Sequence, residues 1–339
     1  LEDNTTGTNN TAVGYQAMQV NTTASNNTAV GYQALTSKTT GDNNSAFGAF
    51  AGHELTTGVQ NTFIGKNAGY YTTTANYNTG VGHNALVANT TGADNVAVGK
   101  GALDANTTGG TNVAVGIDAL GTNDVGNRMV AIGRAALGSY NPSGATDAYN
   151  VGVGYDALTS ASTGLQNTAV GGLALRFNTT ASTNTAIGYN AGTATTTGGN
   201  NTFLGATSGD ANTTGTQNVA VGSAALTANT TSSNNTACGF LALAANTTGA
   251  NNTSVGSLAL DAVSTGSNNT AIGYNALSTF TGDNSTAVGH NALAALTTGG
   301  SNTAVGVLAL DACTTGAENT CVGLNAGTSL TTGGSTTAI

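Results

Sequence analysis

Asn10-Thr11-Ala12-Val13-Gly14 returns unchanged as Asn27 to Gly31, Asn167 to Gly171 and Asn302 to Gly306, with looser copies between. The glycine that closes the phrase recurs at Gly14, Gly31, Gly48, Gly65, Gly82, Gly99, Gly116, Gly133, Gly154, Gly171, Gly188, Gly205, Gly222, Gly239, Gly256, Gly273, Gly289, Gly306 and Gly323. Of the 18 intervals, 16 are 17 residues long, one is 21 and one is 16. A unit this short cannot fold alone, so a fixed period predicts identical turns stacked on one another. The expected fold is an all-β parallel β-solenoid with 17-residue coils and about 19 turns. It occupies residues 1–339 as one continuous array, with a loop insertion near 139–148. At about 4.8 Å per turn the array is a rod roughly 90 Å long.

Working outward from the glycine, taken as position 0, each column has its own chemistry. Position −1 is always apolar and position −2 is nearly always small. Neighbours in a strand point to opposite faces, so an apolar pair predicts a strand covered on both sides, one of them by another subunit. Position +3 is Ala in 18 of 19 copies, with Ser208 the exception, and position +4 is Leu in 13; this pair reads the same way. Phe63 and Phe203 replace the small residue at −2, and Gly69 and Gly209 replace Leu six residues later, as if two side chains share one space. Gly52, Gly192 and Gly327 have no such partner in their own turn. The invariant glycine implies positive φ or a backbone packed where a Cβ would stand, as at a tight corner.

Position −4 holds Asn10, Asn27, Asn44, Asn61, Asn78, Asn95, Asn112, Asn150, Asn167, Asn184, Asn201, Asn218, Asn235, Asn252, Asn269, Asn302 and Asn319; Met129 and Ser285 are the exceptions. At the inter-strand spacing such amides form a hydrogen-bonded ladder; alternatively each caps its own turn. The Asn-Thr-Thr-Gly stretches, as at Asn89 to Gly92, read as an outer strand or loop facing water.

The register breaks at Tyr140-Asn141-Pro142-Ser143-Gly144, where four extra residues bulge as a loop near Arg128 and Arg134, and near Thr279 to Gly282, where one residue is missing. Both ends fall inside a repeat: Leu1 stands where Leu35 and Leu86 stand, and Ile339 where Val305 does. The chain is therefore expected to be a piece of a longer array, with signal, anchor and caps elsewhere.

Charged residues are 6% of the chain and the net charge is −9. The six Lys and Arg are scattered, which argues against a nucleic-acid partner, and no apolar run is long enough for direct membrane insertion. The three cysteines do not make a disulfide framework; Cys238 and Cys321 lie in apolar columns and Cys313 is left over. His53, His83 and His290 lie in distant turns, so no metal site is expected. Asp104, Asp210, Asp261 and Asp311 share a column at least three turns apart, too far for paired-carboxylate catalysis. No cofactor, catalytic residue or enzyme activity is expected. Sequons such as Asn21-Thr22-Thr23, Asn89-Thr90-Thr91 and Asn212-Thr213-Thr214 admit glycosylation.

The phrase Asn-Thr-Ala-Val-Gly-Tyr-Asn-Ala-Leu resembles the head repeats of trimeric autotransporter adhesins (haemagglutinin-type repeats), whose motif runs close to Asn-Ser-Val-Ala-Ile-Gly. It also resembles repeats of phage tail-fibre-like proteins. The apolar-Gly corner and the Ala after it carry the match, across essentially all 339 residues; the turns here are longer. The resemblance implies a left-handed β-roll, a homotrimer, and an extracellular fibre on a cell surface or virion. The expected function is a non-enzymatic structural or adhesive fibre that binds itself and, multivalently, surface carbohydrate or glycan. The alternative is an ice-binding β-solenoid, because position −3 is Thr in most turns, although Val96, Val113, Val130 and Val151 interrupt it.

Overall fold

The computed structural model describes residues 2–339; Leu1, assigned above to the leucine column, lies outside the described residues. The chain divides into two compact units, Leu1–Asn167 and Thr168–Ile339. Each is a parallel β-solenoid. Together they hold about 19 turns of about 17 residues, and no helix occurs among the described residues. The first unit carries the strands from Thr11–Val13 to Val151–Val153, and the second those from Thr168–Val170 to Thr337–Ala338.

Each coil has one short strand, spanning positions −3 to −1. Within a unit, consecutive strands pair in parallel with equal positions opposite. Thr28, Ala29 and Val30 face Ser45, Ala46 and Phe47 in the first unit, and Thr253, Ser254 and Val255 face Thr270, Ala271 and Ile272 in the second. β-Branched Thr and Val suit this pleated run, and the glycine ends it. Gly99 has φ +136°, and a Cβ there would lie 2.4 Å from the carbonyl oxygen of Gly116 in the next coil. Both explanations of the invariant glycine therefore hold: the backbone is one that L side chains rarely adopt, and the neighbouring backbone fills the space a side chain needs.

After the glycine the chain does not enter a second strand, contrary to the two-faced strand expected for Ala-Leu. Positions +2 and +4 take left-handed backbone, as at Gln33 (φ 53°) and Leu35 (φ 49°). Their amides bond in opposite directions: Gln33 N–H donates back to Tyr15 O at 2.9 Å, and Leu35 N–H donates forward to Ala51 O at 3.0 Å. This alternation turns Ala and Leu to the same side. Ala34, Leu35, Ala85, Leu86, Ala242 and Leu243 are all fully buried. Left-handed conformation costs a non-glycine residue about 1–2 kcal/mol, and burying the leucine offsets it at about 1.5–3 kcal/mol. Six turns lack Leu in the column: one has Met18 and the others have Gly52, Gly69, Gly192, Gly209 and Gly327, all with positive φ.

The Phe-for-Leu exchange extends over two coils. A Cβ on Gly69 would lie 2.4 Å from the Phe63 ring, and one on Gly52, in the preceding coil, would lie 3.1 Å from it. Phe203 stands in the same way against Gly209 at 2.3 Å and Gly192 at 2.5 Å. One ring thus occupies the room of two leucines. Gly327 answers to Cys321, whose sulfur would lie 2.7 Å from a Cβ there.

The four-residue insertion leaves the stack after the buried Tyr140. It rejoins where Asn127 N–H donates to Thr146 O at 2.8 Å and Ala148 N–H to Asn127 O at 3.1 Å; its tip, Gly144, has no heavy atom within 4 Å of where a Cβ would stand. In the 16-residue coil the buried Phe280 fills the shortened corner, 2.9 Å from the Cβ position of Gly282.

Candidate functional site

The ladder asparagines at −4 are buried and bond up the stack. Asn95 Oδ1 accepts the backbone N–H of Asn112 at 3.0 Å, and Asn95 Nδ2 donates to Gly109 O at 2.9 Å. In the second unit Asn201 Oδ1 accepts from Asn218 N at 2.9 Å while its Nδ2 donates to Gly215 O, also at 2.9 Å. Direct amide-to-amide bonds join some pairs, as Asn44 Nδ2 to Asn27 Oδ1 at 3.1 Å. Each amide therefore ties one coil to the backbone of the next, and its polar atoms are satisfied without water.

The sequence reading missed a second ladder. Position +7, taken as facing water, is interior. Asn89, Asn106, Asn123, Asn212, Asn229 and Asn246 are fully buried. Asn106 Nδ2 donates to Asn89 Oδ1 at 2.8 Å, Asn123 Nδ2 to Asn106 Oδ1 at 3.0 Å, and Asn229 Nδ2 to Asn212 Oδ1 at 2.9 Å. The signal was present: the same column holds Leu55, Val263, Phe280, Leu296 and Cys313, all buried. A column that exchanges Asn with large apolar residues is not a solvent column. Lys38 also occupies it, fully buried, with Nζ donating to Gly58 O at 2.6 Å. Burial pushes its amine down to about 7, partly opposed by the charge of Asp42.

With position −2 facing the core, positions −3 and −1 face outward. Threonine or valine, and once Ser45, at −3 and Val, Ile, Leu or Phe, and once Cys238, at −1 form two in-register columns on the outer face of each unit. Neither column contains a charged residue. The apolar column is well exposed: Ile64 41%, Ile187 40%, Leu204 44% and Ile272 40%. Cys238 belongs to it and is half-buried, so it is an outward residue, whereas Cys321 and Cys313 are buried. Beside this face, position +1 adds exposed aromatics such as Tyr155, Tyr189, Phe240 and Tyr274.

Two other clusters lie in the first unit. Tyr15 stacks on Tyr32 with centroids 5.5 Å apart, Tyr32 meets Phe50 edge-on at 5.2 Å, and Phe50 continues to His53 and Tyr70, which stack at 4.7 Å. His53 Nδ1 lies 2.8 Å from Glu54 Oε1; separately, within the second unit, His290 stacks on Tyr274 at 5.4 Å. A groove of about 330 Å³ is lined by Asp104, Asp118, Thr122, Ala135, Ser139 and Thr159, among others. It exists because Gly101, Gly121, Ala135 and Gly138 leave large side chains out of columns +2 and +5. Column alignment sets Asp104 only with Asp210, Asp261 and Asp311, at least three turns apart. Asp104 and Asp118 nevertheless converge, because +2 of one coil lies beside +5 of the one before; a Cβ on Gly101 would lie 2.5 Å from Asp118 Oδ1 and 3.6 Å from Asp104 Oδ2. Burial raises the Asp104 carboxyl, and the charge of Asp118 adds to it. Among the described residues no group of three or more His, Cys, Asp or Glu gathers as for a metal ion, and no helix is long and apolar enough to cross a membrane. Compared with protein-family models, curated proteins and solved structures, the chain matches none.

Proposed function

We propose that the protein is a non-enzymatic structural or adhesive fibre subunit that works outside the cell, on a cell surface or virion. It associates with copies of itself through the outward face of its strands. The observation that carries this reading is the exposed, uncharged, in-register face at −3 and −1. Covering a half-exposed Ile or Leu there gains about 1 kcal/mol, part of the full burial value, and the gain repeats every coil. With no charge in either column, covering this face buries no charged group. Three copies is the number implied by the adhesin-head resemblance. Adhesion to a surface carbohydrate would use weak contacts repeated along the chain and strengthened by multivalency.

The test is the solution mass of the purified chain by sedimentation. The reading expects an oligomer at micromolar concentration, and it expects Ile187→Lys with Ile272→Lys to give a folded monomer. A monomeric wild type overturns it.

The same face supports a second reading, ice binding. In the second unit Thr168, Thr185, Thr202, Thr236, Thr253 and Thr270 stand in one column that only Val219 breaks among them. Rows spaced about 4.8 Å along the stack and about 6.6 Å along the strand present a regular array of hydroxyl and methyl groups to water. Thermal hysteresis of the purified chain, lost in a Thr185→Lys/Thr253→Lys variant, would favour this reading; no hysteresis removes it.

A further inference from the structure

The fold sorts the Asn-x-Thr/Ser sequons into two groups that the sequence does not distinguish. The conspicuous Asn-Thr-Thr sequons place their acceptor at +7, where Asn21, Asn89, Asn212 and Asn246 are fully buried in the second ladder. A second set reads Asn-Asn-Thr or Asn-Asn-Ser, with its acceptor at +12. Asn26, Asn43, Asn200, Asn234, Asn251 and Asn268 are of this kind, and all are exposed. Each sits at a bend with left-handed backbone, φ 59° to 62°. The middle Asn of these sequons is the buried −4 ladder residue, which anchors the bend from inside.

We infer that the +12 asparagines, and not the Asn-Thr-Thr ones, are the sites at which this chain takes N-linked oligosaccharide. The inference stands apart from the self-association reading. In the step, the acceptor Nδ2 attacks the anomeric carbon of an oligosaccharide carried on a polyprenyl diphosphate, the activated donor used by an oligosaccharyltransferase. The Nδ2–C1 bond forms, the bond from C1 to the phosphate oxygen breaks, and the diphosphate leaves with the electron pair. One Nδ2 proton passes to a base of the transferase. The acceptor keeps its other N–H. The rim bonds from Asn251 Nδ2 to Asn268 Oδ1 and from Asn268 Nδ2 to Asn284 Oδ1, both 3.3 Å, are therefore compatible with the modified amide.

At +7 the reverse holds. Asn106 Nδ2 donates both to Asn89 Oδ1 and to Gly109 O, at 2.8 and 3.0 Å. A glycan there removes a buried N–H and needs space the core does not have, so a chain modified at +7 cannot complete its coil. Adjacent rim acceptors are one coil apart, about 4.8 Å. A branched oligosaccharide is wider than that, so occupancy in the run Asn234, Asn251, Asn268 falls on alternate coils.

The full chain is secreted from a host that has an oligosaccharyltransferase, and the folded, protease-resistant fraction is collected. Glycans are released by peptide-N-glycosidase in heavy-oxygen water, and peptides are mapped for labelled Asn→Asp conversion. The inference expects label at Asn26 or Asn43 and within Asn234 to Asn268, and none at Asn21, Asn89 or Asn212. It also expects Asn26→Gln, Asn43→Gln, Asn200→Gln, Asn234→Gln, Asn251→Gln and Asn268→Gln together to fold as the parent does, by circular dichroism, and to lose most of the glycan mass. Label at the +7 acceptors in folded material, or no label on the rim, overturns it.

Discussion

Replacing Lys38 by Leu should stabilise the first unit at neutral pH and remove a pH dependence that the parent shows. Lys38 lies in a column whose next member is the fully buried Leu55, and its own side chain is fully buried. Burial lowers its amine from 10.5 to about 7. An unfolded coil therefore holds a proton that the folded coil gives up across that window. The contribution is unfavourable, it grows as pH falls from 10.5 toward 7, and it levels off below 7. Lowering the amine from 10.5 to about 7 corresponds to a limit of about 5 kcal/mol, with about 4 kcal/mol expressed at pH 7 and about 2 at pH 9. The parent should thus gain about 2 kcal/mol of local stability between pH 7 and pH 9 from this group. Lys38→Leu should be flat with respect to it. The acceptor left behind is not orphaned, because Gly58 O also receives Asn44 Nδ2 at 3.0 Å. A repeat array need not unfold as one cooperative unit. The assay is therefore amide hydrogen exchange of residues 27–61, parent and variant compared at the same pH so that intrinsic rates cancel. Equal protection in the two proteins at pH 7, or a difference that does not shrink by pH 9, would refute the reasoning.

Asn95→Leu should cost about 1–3 kcal/mol, because it leaves the amide of Asn112 buried without its acceptor, while Gly109 O keeps Asn106 Nδ2; denaturant midpoints of parent and variant measure it. Phe63→Ala should destabilise by about 3–5 kcal/mol through the cavity it opens. Adding Gly69→Leu to that variant should recover part of the loss, whereas Gly69→Leu alone should be worse than either, since its Cβ would meet the ring at 2.4 Å. Gly99→Ala should cost about 3 kcal/mol or more from φ strain and the clash with Gly116. Gly144→Ala, at the open tip of the insertion, should change the thermal midpoint by less than a degree or two.

The stack, its parallel register and the ladder at −4 were legible because each rests on one dominant residue type: glycine in every turn where a Cβ has no room, and asparagine, in all but Met129 and Ser285, where one side chain both donates and accepts. The interior of +7 was harder to read because its residues are interchangeable. Asn106 and Leu55 fill similar volumes by different means, and scanning for one residue type sees only the polar half. The Ala-Leu pair misled for a different reason. A two-residue apolar run means opposite faces only in extended backbone, and the positive φ at Leu35 was betrayed solely by glycines at the equivalent sites Gly52 and Gly69. The meeting of Asp104 with Asp118 was invisible to column alignment, because it joins different columns of neighbouring coils.

Because consecutive coils within each unit pair their strands in the same parallel register, the gene can change length without redesign. Replication slippage that drops or duplicates seventeen codons, cut at any phase of the repeat, restores a complete coil. The one coil that is a residue short loses it at the corner after the buried Phe280. Inheritance of such a gene would thus vary in copy number far more readily than in the chemistry of a single coil.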